Sequence, residues 1–320
     1  MPGWSGGAGR GGRAAPGGGA APGGLAGCAS PFSDVRLRLA TGGTQGVYYS
    51  LGSALAKAWQ QELGMRAAPQ VLSTAGSVDN LRLLTSRQAD VAFSQVDAAA
   101  DALRTPAPGA AVPCALGRVY DEFVHIVVPR AAPAQRLSDL RGLRVSVGAR
   151  ESGVYFIAKR LLATAGLSVA DLNAVYLGIN DSVAALIEGR IDAFFWTGGV
   201  PTGGVEALAA RMPIRLLDLE DLLGAILETY PVYAPGTVPA RSYDIEKSVT
   251  TVLVRSFLLV DTAMSDELAY ALIKALFEAQ EELVVINPLA RTIDLRAAIS
   301  TQPVPLHPGA LRYFRDAKGT

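Results

Sequence analysis

The stretch Val35-Arg36-Leu37-Arg38-Leu39-Ala40-Thr41-Gly42-Gly43-Thr44-Gln45-Gly46-Val47-Tyr48-Tyr49 decides the fold. Apolar residues alternate at 35, 37 and 39, the period of a half-buried strand. A Gly/Thr-rich turn then breaks the chain, and Val47, Leu51, Leu55 and Trp59 recur at the spacing of one helix face. A strand that feeds a small-residue turn and then a helix is half of a βα unit. The plan recurs. Val71-Leu72 runs through Thr74-Ala75-Gly76-Ser77 into a helix carrying Leu81 and Leu84, and Asp90-Val91-Ala92-Phe93-Ser94 gives the next strand. Arg144-Val145-Ser146-Val147 runs through Glu151-Ser152-Gly153 into a helix with Ile157, Leu161 and Ala165. Strands alternating with helical periodicity predict the α/β class.

Composition bounds the rest. The chain has 320 residues, 50% of them hydrophobic and 18% charged, which excludes a disordered protein and predicts two lobes rather than one small core. Twenty-nine basic residues balance 29 acidic ones, so no global field draws nucleic acid or an anionic membrane surface. Two cysteines and two histidines build neither a disulfide framework nor a zinc ribbon. No apolar run reaches the length of a transmembrane helix.

Glycine, alanine and proline make up 21 of the first 27 residues, and residues 1–33 are read as a disordered N-terminal segment. It contains Leu25-Ala26-Gly27-Cys28, similar to the lipobox at which bacterial lipoproteins are cleaved and lipidated, which would make Cys28 the mature N-terminus. Arg10 and Arg13 supply a thin basic region, but no apolar segment of a signal peptide follows them.

A faint internal repeat locates the lobes. Leu83 to Phe93 and Ala185 to Phe194 share one pattern: a helix end, a turn, an aspartate and an apolar strand. The β-branched runs Phe123 to Val128 and Thr251 to Val254 are the candidates for strands bridging the lobes. Residues 34–124 and 232–320 are therefore assigned to one lobe and 125–231 to the other. Tyr230 to Gly236, rich in turn formers, is taken as the return crossing.

Each turn that opens a helix carries chemistry. Helix N-termini present unpaired N–H groups and a partial positive charge, and glycine lets a ligand approach the backbone. Gly43, Thr44 and Tyr48 stand at the first start, Thr74, Gly76 and Ser77 at the second, and Ser152 and Gly153 at the third. Gln95 and Asp97 follow the strand ending at Ser94, where α/β ligands commonly lie, although Asp97 also suits a helix cap. Caps are equally ordinary uses of the hydroxyls. Replacing Thr44 or Ser77 by alanine is expected to weaken binding and leave stability alone if they are contacts. None of the turns has P-loop or Gly-x-Gly-x-x-Gly spacing, which argues against nucleotide binding. His125, inside an apolar strand, reads as a hydrogen-bonded core residue, and His307 as an anchor for the final helix. Asp261, Asp266 and Asp294 read as caps.

Thr41-Gly42-Gly43-Thr44 with Val47-Tyr48-Tyr49, then Gly76-Ser77-Val78-Asp79-Asn80-Leu81, Asp192-Ala193-Phe194-Phe195 and Pro305-Leu306-His307-Pro308-Gly309-Ala310 together resemble the TAXI family, the solute receptors of tripartite ATP-independent periplasmic (TRAP) transporters. The similarity covers nearly everything after residue 34. It implies a two-lobed type II periplasmic-binding-protein fold, each lobe a mixed sheet flanked by helices, closing on a small organic acid such as glutamate or a dicarboxylate. It also implies an extracytoplasmic location and membrane subunits of the transporter as partners, with any membrane contact made through a lipid on Cys28. Departures occur at Gln45, Ser50, Val154 and Tyr155, so the solute is expected to differ from the family's best-known ones. Trp196, ahead of Thr197 and Gly198, adds a bulky wall able to narrow the pocket or stack on an apolar part of the solute. No cofactor, metal or catalytic residue is expected. The motifs of nucleophilic, zinc and phosphate-loop enzymes are missing from the sequence, leaving an enzyme or a ligand-sensing module as the alternatives.

Overall fold

The computed structural model describes residues 30–318, so Cys28 lies outside the described residues. The chain opens with β1 (Arg38–Ala40), α1 (Val47–Glu62), β2 (Gln70–Leu72), α2 (Ser77–Thr85), β3 (Val91–Gln95) and α3 (Val96–Arg104), followed by the long β4 (Pro113–Pro129). The same order then returns as β5 (Arg144–Ser146), α4 (Gly153–Thr164), β6 (Asn173–Val175), α5 (Ile179–Ile187) and β7 (Ala193–Gly198). Next come α6 (Gly203–Ala209), β8 (Ile214–Leu216), α7 (Glu220–Thr229), β9 (Ala234–Val238) and the second long strand β10 (Val249–Asp261). The chain ends in α8 (Asp266–Glu278), α9 (Gln280–Ile286), α10 (Leu295–Ala298) and α11 (Pro308–Lys318).

Eight of the ten described strands join into one path, β2-β1-β3-β10-β4-β7-β5-β6, with β8 paired to β4 and β9 to β10 off it. Its two halves mirror each other: β1 lies between β2 and β3 in parallel, and β5 lies between β6 and β7 in parallel. Between them β10 and β4 run antiparallel to each other and to the flanking strands. This is the expected two-lobed α/β architecture. The opening strand is shorter than its alternation suggests, because Val35 to Leu37 lie ahead of the first ladder pair, Arg38 with Gln70.

The two long strands carry the chain between lobes. Residues 113–121 of β4 face 255–261 of β10, whereas 123–127 of β4 pair with β7. On β10, residues 256–260 pair with β3 and 249–253 with β9. The passage between lobes therefore falls where Glu122 faces Val254. This corrects the second boundary. Val238, Tyr243, Ile245 and Val249 pack in one cluster with Val127, Ile179 and Phe194, so residues 234–253 go with the second lobe and the chain returns inside β10, not at 231–232. Backbone pairing decides this, and the turn formers at 230–236 mark only the entry into β9.

Helix α1 shows how the local code works. Val47, Leu51, Leu55 and Trp59 are buried on one face, and the buried Trp59 indole donates to the Leu272 carbonyl of α8 at 2.9 Å. The helix stops at Leu63-Gly64, where Gly64 takes φ +60°. His125 donates or accepts through Nδ1 with the Phe123 carbonyl (2.8 Å) and through Nε2 with the Tyr243 hydroxyl (2.9 Å), and is fully buried. His307 likewise bonds the Met264 carbonyl (3.0 Å) and accepts the Gly309 N–H (3.1 Å) at the start of α11. Asp294 caps α10, and Asp261 accepts the Ala263 N–H of a turn. Asp266 is the first residue of α8, which Ser265 caps instead.

Candidate functional site

The starts of α1, α2, α4 and α5 open onto one cleft between the lobes, with a cavity volume of about 130 Å³. Their cap residues are Gly46, Gly76, Ser152 and Gly178. The first two helices belong to one lobe and the other two to its counterpart. At each start the leading N–H groups have no partner within the helix, and the aligned peptide dipoles add partial positive charge. The approach is close. A Cβ on Gly76 would come within 3.7 Å of the Ser152 Cα, and the Asp79 N–H donates across the cleft to the Glu151 carbonyl at 3.0 Å. Among the described residues, the lining contains no histidine, cysteine, lysine or arginine.

Of the residues singled out from the sequence, Gly43, Tyr48, Thr74, Gly76, Ser77, Gln95, Ser152, Gly153, Trp196, Thr197 and Gly198 line this cleft. Several are also tied into the scaffold. Thr74 Oγ accepts the Gly76 N–H (3.1 Å) and lies 2.6 Å from Asn80 Oδ1, to which it donates. Ser77 Oγ accepts the buried N–H of Gln95 at 3.1 Å. Ser152 caps α4 by accepting the Tyr155 N–H at 3.1 Å. Trp196 donates to Thr202 Oγ at 3.2 Å, which fixes its indole beside the cleft.

Two expectations are corrected. Thr44 is exposed at the tip of the turn and does not line the cleft, because Gly46, not Thr44, is the residue that enters α1. Gln45, beside it, is likewise exposed and outside the lining. Asp97 starts α3 and turns away into a separate hollow that it shares with Arg160 and Tyr230. There it accepts the Tyr233 hydroxyl (2.6 Å) and the Ala98 N–H (2.8 Å), with the Arg160 guanidinium 3.9 Å away. Complete burial pushes its carboxyl up to about 6, against the pull of Tyr233 and Arg160.

The floor of the cleft is a polar network centred on Glu122, at the interlobe passage of β4. Glu122 is buried, and it receives the Ser256 hydroxyl on one oxygen and Gln95 Nε2 (2.6 Å) on the other. Because the Ser256 hydrogen goes to Glu122, Tyr48 donates to Ser256 Oγ at 2.9 Å, and Tyr120 closes the side. Gln95 Nε2 also reaches Thr197 Oγ (2.7 Å) in the opposite lobe. Burial holds the Glu122 carboxyl above its ordinary range, although Ser256, Tyr48, Gln95 and Thr197 all favour the charged form. Burial and the nearby Glu122 charge raise the Tyr48 hydroxyl too, so it stays protonated and able to donate.

The sequence reading missed Glu122, Tyr120 and the fourth helix start at Gly178. Gly178 follows the same strand, glycine and helix pattern as the others and was findable. Glu122 was signalled only as one of two adjacent acids, with Asp121, ahead of the apolar run of β4, and its partners come from Gln95, Ser256 and Tyr48, far away in sequence.

Comparison with known structures agrees with this architecture. The chain is similar to XAC2383 from Xanthomonas citri, solved with ATP bound, at 15% identity and a TM-score of 0.51 over 89% of this chain and 96% of that one. A structure described as a periplasmic transporter matches at 13% identity and a TM-score of 0.50, covering 89% and 93% of the two chains. The periplasmic aliphatic sulphonate binding protein SsuA from Escherichia coli aligns at 18% identity and a TM-score of 0.49, covering 88% and 84%. For the first two, identities this low speak to the fold alone, and the third, at a TM-score of 0.49, carries no argument. At the level of sequence, the model of the NMT1-like family matches residues 39–317, nearly the whole described chain, and this protein belongs to that family.

Proposed function

We propose that this protein is the extracytoplasmic solute receptor of a transporter of the TRAP type, within the TAXI group. It captures a small organic acid, glutamate-like or a dicarboxylate, by closure of its lobes and delivers it to membrane subunits. The observation that carries this reading is the convergence of four helix starts from two lobes on one cleft whose lining has no cationic side chain among the described residues. Backbone N–H groups and helix dipoles hold an anion in such a place without guanidinium. The work is binding, not chemistry: affinity for the closed arrangement exceeds that for the open one, and the solute shifts the population. Among the described residues no helix is long and apolar enough to cross a membrane, which fits a receptor whose anchor, if lipidated, is Cys28. Native mass spectrometry of freshly purified protein is expected to show one small organic anion per chain, released unchanged on denaturation. Conversion of added organic acids over many turnovers would instead make the protein an enzyme.

A further inference from the structure

Arg160 is held in place by one lobe and directs its hydrogen bonds at the other. It lies midway along α4, and its guanidinium sits among three rings of the second lobe, 4.4 Å from the centre of Phe156, 4.8 Å from Tyr230 and 5.8 Å from Tyr233. From there Nη2 donates to both carboxyl oxygens of Asp101 in the first lobe, at 3.3 and 3.2 Å. Nη1 donates to the Tyr233 hydroxyl at 3.1 Å, and that hydroxyl donates in turn to Asp97 of the first lobe at 2.6 Å. Asp97 and Asp101 are one turn apart on α3, so a single helix face presents both acids to one guanidinium. The Arg160 side chain is only 16% exposed, and that of Asp97 is fully enclosed. Neither acid, nor Arg160, nor Tyr233 lines the cleft.

We propose that Arg160 is a latch on lobe closure: it grips the acids of α3 only while the cleft is closed, and so sets how firmly a solute is kept without touching that solute. This inference rests on the hinge closure of the receptor reading above. Helices α3 and α4 belong to different lobes, so parting the lobes about Glu122 and Val254 draws the guanidinium and the Tyr233 hydroxyl off their carboxylates. A fully exposed ion pair would resist that motion little. This one is largely enclosed, and opening breaks charge-assisted hydrogen bonds at both acids. The closed population therefore rises before any solute arrives, and apparent affinity follows the fraction of molecules ready to bind. Arginine suits the task because its flat guanidinium stacks on rings while presenting several donors at once, whereas an ammonium is a point charge.

The cleft contains a reporter of closure that needs no solute. Asp79 lies in the first turn of α2, where its N–H has no partner within the helix, and its bond to the Glu151 carbonyl crosses between the lobes at 3.0 Å. Amide hydrogen exchange at Asp79, followed by NMR on the full chain, therefore reads the open population. Relative to the amides of β10, Arg160→Gln is expected to speed exchange at Asp79 about tenfold. Asp101→Asn alters a partly exposed side chain, so the fold tolerates it even if the arginine variant does not. It is expected to act in the same direction and to add almost nothing once Arg160→Gln is present. Arg104→Gln removes the guanidinium that pairs with Asp101 from within the same helix, and is expected to leave exchange at Asp79 unchanged. Exchange unmoved in a folded Arg160→Gln or Asp101→Asn protein would overturn the latch and leave the hinge intact. So would effects of those two substitutions that simply multiply, or equal acceleration by Arg104→Gln. If Asp79 exchanges as slowly as β10 in the unaltered protein, the lobes do not part, and hinge closure fails together with the latch.

Discussion

At Asp97 and His125, two buried groups titrate against each other. Asp97 holds its proton up to about pH 6 in the fold and to near 3.8 when unfolded, so its contribution to stability is complete in acid and is lost as the pH rises through 6. His125 is driven by burial to about 4 from 6.5, so its contribution is complete above 6.5 and is lost as the pH falls through 4. Each contribution is about 3 kcal/mol, and over pH 4 to 6.5 they oppose. Asp97→Asn keeps an acceptor for the Tyr233 hydroxyl but removes the proton site. Relative to the unaltered protein, the variant is expected to lose about 2 kcal/mol of stability on going from pH 7 to pH 4, read from urea midpoints. Parallel pH profiles for the two proteins would contradict the assignment. A second test lies at Gly76, whose φ of 122° and ψ of −151° belong to backbone that is essentially reserved for glycine. Gly76→Ala is expected to cost about 1–3 kcal/mol through its backbone conformation alone, since the added Cβ meets Ser152 at an ordinary contact distance of 3.7 Å. An unchanged urea midpoint would mean the backbone relaxes freely there.

Among the elements, the two halves repeat more closely than their sequences do. Asp90 accepts the backbone N–H of Arg38 at 2.8 Å and pairs its guanidinium, and Asp192 does the same for Arg144, also at 2.8 Å. These clasps tie the first strand of each half to its third, and they explain why an aspartate before an apolar strand was the legible part of the repeat. The βα starts were legible for a related reason: glycine, serine and threonine are needed at turns whatever the rest of the fold does. Which hydroxyl meets the cleft was not legible, because capping and contact use the same residue types. Ser77 shows the difference. Its oxygen accepts the buried Gln95 N–H, so Ser77→Ala is expected to cost about 1–3 kcal/mol of stability as well as affinity, contrary to the expectation drawn from sequence. Thr44→Ala, at an exposed position outside the lining, is expected to change neither. Thermal melts and titrations of both variants check the pair, and a silent Ser77→Ala would remove it from the scaffold. The boundary near residue 232 was misplaced because β9 and the first half of β10 form a local hairpin, and pairing of that kind depends on backbone register that composition does not show.

Across the whole molecule, the lobes meet through few but specific contacts. Arg160 of α4 reaches Asp101 of α3 at 3.2 Å, the Tyr233 hydroxyl donates to Asp97 at 2.6 Å, Gln95 meets Thr197, and Leu289 packs against Gly199. Among the described residues, only β4 and β10 pass between lobes in the sheet, which suits a hinge at Glu122 and Val254, beneath the cleft rather than beside it. A solute bound there touches both lobes and the hinge at once, so closure and recognition become one event. The most direct test is a crystal structure of the protein with its co-purified or added organic acid. The account predicts the acid group of that solute within about 3 Å of backbone N–H groups at the starts of two or more of α1, α2, α4 and α5. A solute seated in the Arg160 hollow, or an acid group held by an arginine or lysine side chain, would contradict it.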